Sequence, residues 1–122
     1  MPYRRVKDPK EMLVIFRLHL RKGADEEAYR ATSRRMHELV DGWPGFLSLK
    51  EYTGEDGEVI DIARFEDEKS LEAWRKEPEH LVAQRKGREE FYDRFHIQAA
   101  RVIRDYEFET TGGRATARRA KR

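Results

Sequence analysis

The chain has 122 residues, 38% apolar and 41% charged, and no cysteine. That length holds one domain with a thin core, and the lack of cysteine excludes disulfides, thiolate catalysis and cysteine-ligated zinc. The net charge of +2 hides an asymmetry: residues 111–122 carry five basic side chains and no acid, leaving 21 basic against 24 acidic residues elsewhere. So mildly acidic a body offers no broad phosphate-binding face, so nucleic acid is not expected as a partner.

Residues 1–11, basic with Pro2 and Pro9, read as an arm. The longest apolar run, residues 12–16, is too short to span a bilayer, and the opening segment has no signal-peptide core, so a cytoplasmic protein is expected. Residues 12–20 alternate. Met12, Val14, Phe16, Leu18 and Leu20 share one face of a strand, and Leu13, Ile15, Arg17 and His19 share the other. Asp25 is placed to cap a helix of about four turns, with Glu26 and Glu27 in its first turn and Tyr29, Thr32, Met36, Leu39 and Val40 on its apolar side. Gly42, Trp43, Pro44 and Gly45 end it, with Gly42 in the position of a C-cap glycine.

Residues 46–52 and 58–65 are two strands joined by a glycine- and acid-rich hairpin. Ile60 and Ile62 fall on one side of the second, Val59, Asp61, Ala63 and Phe65 on the other. A helical segment follows from Asp67 through Leu71 and Trp74, and Pro78 suits the first turn of a new helix. That helix is expected to carry Leu81, Gln84, Phe91, Tyr92 and Phe95, and residues 97–108 to form a long last strand. Residues 109–122 are expected to be a disordered basic tail, more a solubilising terminus than a binding element.

The order β-α-β-β-α-β over residues 12–108 predicts an α+β, ferredoxin-like domain: an antiparallel sheet with its helices on one face. Both sides of the strands carry apolar residues, so the helix-free side needs a cover. A second copy of the sheet, making a homodimeric barrel, is the least costly one.

The run Gly42-Trp43-Pro44-Gly45-Phe46, the hairpin with Asp56-Gly57, the stretch from Leu71 through Trp74 to Pro78-Glu79-His80, and Tyr92 to Ile97 leading to Val102-Ile103-Arg104-Asp105 together resemble the antibiotic biosynthesis monooxygenase family. The resemblance covers about residues 12–108. It implies a dimeric α+β barrel with a pocket between each sheet and its own helices. Its members include cofactor-independent oxygenases of aromatic substrates, haem-binding and haem-degrading proteins, and chains with no established activity.

Carried onto this chain, the resemblance makes Trp74 an aromatic wall and His80 a proton-handling catalytic group, since imidazole titrates near neutrality. Gln84, Tyr92 and Arg64 are candidates for the substrate-binding lining. The competing reading makes Trp74 a core anchor and His80 a bridge at the helix junction. The haem-degrading branch uses an Asn on the first strand, a Trp on the second helix and a ligating His. Trp74 matches, but Phe16 and Gln84 stand at the other two positions, and a carboxamide is a poor iron ligand. No cofactor is therefore expected, with haem a disfavoured alternative that His80 keeps open, and no metal is expected because no two histidines share ligand spacing on one helix face and the acids are scattered.

His19 and His37 read as exposed, and His96 as lying at the pocket rim or the dimer seam. The leading expectation is a cofactor-independent monooxygenase acting on an aromatic or phenolic small molecule. The alternatives are a non-catalytic dimeric barrel holding a small hydrophobic ligand, and a haem-binding member.

Overall fold

The structure, a computed structural model, describes residues 3–110. It divides into two compact units, residues 10–101 and a smaller unit from the two ends of the chain. The larger unit opens with strand β2 (Met12–Leu20), after β1 (Tyr3–Arg5) of the smaller one. Helix α1 (Glu26–Asp41), strands β3 (Phe46–Thr53) and β4 (Val59–Phe65), helices α2 (Glu68–Arg75) and α3 (Pro78–Lys86), a π-helical turn (Gly87–Phe91) and strand β5 (Tyr92–Arg101) complete it. The sheet order is β3-β4-β2-β5, every pair antiparallel, which is the ferredoxin-like arrangement.

Local chemistry explains the element ends. Asp25 accepts a hydrogen bond from the Ala28 N–H at 3.0 Å, and Asp67 one from the Ser70 N–H at 2.9 Å, so each helix starts on a carboxylate that fills an otherwise unpaired donor. Gly42 is the C-cap of α1, but at φ −97° it does not use the left-handed freedom of glycine. The reversal happens at Gly45, with φ +83°, after Pro44. The Phe46 N–H bonds the Trp43 carbonyl at 3.0 Å, as in a type II turn.

Register assigns the two faces. Opposed residues share a side, so Met12, Val14, Phe16 and Leu18 of β2 lie with Phe65, Ala63, Asp61 and Val59 of β4, and with Arg101, Ala99, Ile97 and Phe95 of β5. This side receives the helices. Met12 and Phe65 pack with Val40 of α1 and with Leu71 and Trp74 of α2, and Phe65 is fully enclosed. The other side carries Leu13 and Ile15 beside Ile60 and Ile62, flanked by Arg17, Lys50, Arg64, Arg94, His19 and His96.

Three expectations need correction. Tyr92 and Phe95 are strand residues, not helical ones. The pairing of β5 with β2 shifts between His19 and Leu20, leaving Asp93 unopposed, so Tyr92 and Phe95 reach the same face three residues apart and imitate a helical spacing. The last strand does not run to residue 108 but ends at Arg101, because its partner β2 begins at Met12, just beyond Pro9. Residues 3–5 are not merely an arm.

In the smaller unit, β1 pairs antiparallel with β6 (Tyr106–Phe108), and the Val6 N–H bonds the Asp105 carbonyl at 2.8 Å. Tyr3 packs against Tyr106 and Phe108 with ring centroids 6.0 and 5.4 Å away. The expected basic tail lies outside the described residues from 111 onward.

Candidate functional site

A cavity of about 480 Å³ lies between the sheet and its helices, within the usual size range of small-molecule sites. The sheet contributes Phe16, Asp61, Ala63 and Ile97 to its wall. The helices contribute Tyr29, Met36 and His37 from α1, Trp74 and Arg75 from α2, and His80 and Gln84 from α3.

His80 is set by its helix start. Glu77 caps α3 by accepting a hydrogen bond from the His80 N–H at 2.9 Å, with Pro78 in the first turn. The imidazole therefore meets the Trp74 indole face to face, with centroids 4.4 Å apart and planes 25° from parallel. Trp74 in turn meets the edge of Trp43 at 5.4 Å. Burial pushes the His80 pKa below its usual value, partly offset by the Trp74 backbone carbonyl and the Glu77 charge, so the ring is neutral at pH 7. Its Nδ1 is enclosed and has no hydrogen-bond partner.

Tyr92 is held by a device that sequence reasoning missed. Carbonyls of the π-helical turn and of Tyr92, the first residue of β5, converge on Arg21, whose guanidinium donates to Glu89 at 2.9 Å, Arg88 at 3.0 Å and Tyr92 at 3.3 Å. The Arg21 N–H also donates to the Phe91 carbonyl at 2.7 Å. A cation there satisfies acceptors that a helix C-terminus leaves open. Gly87 completes the arrangement, since a Cβ there would collide with the Tyr92 ring. The Tyr92 ring then lies 5.6 Å from Phe16 and 6.4 Å from Tyr29, and burial raises its phenol to about 12.

Four of the five residues singled out in the sequence, Trp74, His80, Gln84 and Tyr92, meet around this cavity. Arg64 does not. It lies on the helix-free side opposite Leu13, where it donates to Glu11 at 2.7 and 3.1 Å and to Ser48 at 3.3 Å. His37, expected in solvent, is half-buried and lines the cavity. His96 lies on the helix-free side, 2.5 Å from Arg17 through Nδ1.

Asp61 was passed over. It sits on the cavity floor between Phe16 of β2 and Glu51 of β3, and burial together with the Glu51 charge pushes its carboxyl up to about 7. Among the described residues, no group of three or more His, Cys, Asp or Glu is placed to hold a metal ion. Nor is any helix there long and apolar enough to cross a membrane.

Residues 12–86 match the family model described as antibiotic biosynthesis monooxygenase. The chain belongs to that family. Consistent with membership, it is 30% identical over 88 residues to the uncharacterised protein YqjZ of Bacillus subtilis, covering 72% of this chain and 77% of that one. The family fold recurs in solved structures. Rv0793 of Mycobacterium tuberculosis superposes with a TM-score of 0.68 at 22% identity, covering 77% of this chain and 96% of that one. A variant of SnoaB, a cofactor-independent oxygenase from Streptomyces nogalater, gives 0.66 at 16% identity, covering 84% and 97%.

Proposed function

We propose that the chain is a cofactor-independent monooxygenase acting on a flat aromatic or phenolic molecule held between sheet and helices. The observation that carries the reading is the Trp74–His80 stack in the wall of an aromatic cavity, which places a neutral imidazole beside the space a ligand would fill. Family membership supports the oxygenase class, and the description of SnoaB supports its operating without a cofactor.

The chemistry asks little of the protein. A ring CH2 tautomerises to its enol, and neutral His80 takes the enol O–H proton. The electron-rich anion then reacts with dioxygen, forming a C–O bond, and the proton returns from His80 to the outer peroxide oxygen. Loss of the remaining carbon proton breaks the O–O bond, leaving a carbonyl and water, so one dioxygen supplies one oxygen to each. The aromatic walls keep bulk water from the anion in the meantime.

The helix-free side bears on assembly. Leu13, Ile15, Ile60 and Ile62 form an aliphatic patch there, and a second copy covering it makes the homodimeric barrel of this reading. Sedimentation should then give twice the chain mass.

Oxygen uptake is the functional test. With a panel of anthrones at pH 7.5, the wild-type chain should consume oxygen faster than buffer, and His80→Ala should lose most of that rate. No uptake across the panel overturns the reading in favour of a non-catalytic binder of small hydrophobic ligands.

A further inference from the structure

We infer that Asp61 is a specificity-determining acceptor in this cavity, one that selects ligands presenting a hydroxyl group to the sheet. This rests on the cavity being a ligand site, and adds a second point of recognition, on the sheet, to the one at His80.

Asp61 lies on a face otherwise built for packing: Val59, Ala63 and Phe65 share its side of β4, and Phe16 stands directly across on β2. Its Oδ1 is enclosed and has no hydrogen-bond partner. Buried carboxylate oxygens are almost always satisfied, so an orphan oxygen on a residue that lines an aromatic cavity marks a carboxyl group short of a donor. The second such atom is Nδ1 of His80, a residue of the helical wall of the same cavity. A flat aromatic with a hydroxyl directed at the Asp61 carboxyl would supply that donor, and a hydrocarbon would not.

Several titratable groups share this environment. Glu51 faces Asp61 from the neighbouring strand β3, Tyr29 and His37 come from α1, Arg75 from α2, His80 from α3 and Tyr92 from β5. Burial and Glu51 keep the Asp61 carboxyl protonated until about pH 7. Below that pH it is a poorer acceptor than above, so the preference for a hydroxyl should grow with pH.

The test is fluorescence titration with 2,6-dihydroxynaphthalene and its dimethyl ether, at pH values below the ionisation of the naphthol itself. The wild-type chain should bind the diol about tenfold tighter than the ether at pH 8, with the gap closing several-fold at pH 5.5. Asp61→Leu should abolish the preference while leaving ether binding intact, and should raise the melting temperature because it removes an unsatisfied buried group. Asp61→Asn should flatten the pH dependence, and Glu51→Gln should move its midpoint to lower pH.

A preference that survives Asp61→Leu, or a wild-type gap that ignores pH, overturns the assignment. If Asp61→Leu fails to fold, the pH profile of Asp61→Asn decides. Absent oxygen uptake with an intact, Asp61-dependent hydroxyl preference would remove the oxygenase reading and leave this one standing. Uptake with the preference retained in Asp61→Leu would do the reverse.

Discussion

The two faces of the sheet use similar aliphatic residues for opposite ends. On the helical face, Met12, Leu18 and Phe65 are sealed by side chains of the same chain, and a cavity remains where Phe16, Asp61 and Ile97 meet the helices. On the other face, Leu13, Ile15, Ile60 and Ile62 form an aliphatic patch that none of the described helices α1, α2 and α3 covers, bordered by Arg17, Lys50, Arg64 and Arg94. The contrast teaches that burial alone does not mark function. One face couples a packed core to a set of unpartnered polar atoms, and the other has its polar groups engaged with each other, as Arg64 with Glu11 and Arg17 with His96.

The two faces differ most at Phe65. Phe65→Ala empties the most enclosed position of the helical face and should cost about 3–5 kcal/mol in denaturant unfolding. A cost below about 1 kcal/mol would mean that the core lies elsewhere. Ile62→Asp places a charge in the centre of the helix-free face. Self-association should weaken at least hundredfold, about 2.7 kcal/mol, and sedimentation should shift toward the single-chain mass. An unchanged mass would show that this patch is not where copies meet.

Asp61 links the helical face to pH. Its carboxyl ionises at about 7 in the folded chain and near 4 when unfolded, so the unfolded state releases the proton first. Between those values the folded state holds more protons, and the Asp61 contribution to stability falls as pH rises, levelling off above about 7. Solvent reaches the half-buried side chain, so the loss is on the order of 2 kcal/mol rather than the full displacement. Comparing urea midpoints of wild type and Asp61→Asn from pH 4 to 8 isolates the effect, because the other carboxylates are common to both. Parallel curves would contradict the burial of Asp61.

Smaller effects sharpen the division of labour. Trp74→Phe keeps an aromatic wall but shortens the stack on His80, and should lower kcat about tenfold, about 1.4 kcal/mol. Arg64→Ala, on the other face, should leave kcat within twofold. Glu72→Ala removes an exposed ion pair with Arg75 within α2 and should move stability by no more than about 0.5 kcal/mol.

Much of this was legible in the sequence, because alternation in β2, the carboxylate caps at Asp25 and Asp67, and Pro78 at a helix start are local signals that the packing then respects. What was not legible depended on partners. The bulge at Asp93 gave Tyr92 and Phe95 a helical spacing on a strand, and only the ladder with β2 reveals it. The long last strand failed at Arg101 because its neighbour ran out, which alternation cannot register.

Arg64 shared its parity with Ile60 and Ile62, so the face assignment already argued against a place in the pocket. Asp61 carried a signal too: one acid among Val59, Ala63 and Phe65 on the buried side of a strand. Arg21 gave none, since its acceptors lie some seventy residues away.

On the proposed reading, the cavity beside Trp74 and His80 inserts oxygen into an aromatic ligand without a cofactor. The most direct test is turnover of an anthrone under 18O2, in chelator-treated protein, followed by mass spectrometry of the quinone. One labelled oxygen per product, lost in His80→Ala, is the predicted result. Unlabelled product, or labelling at the rate of buffer alone, would contradict it.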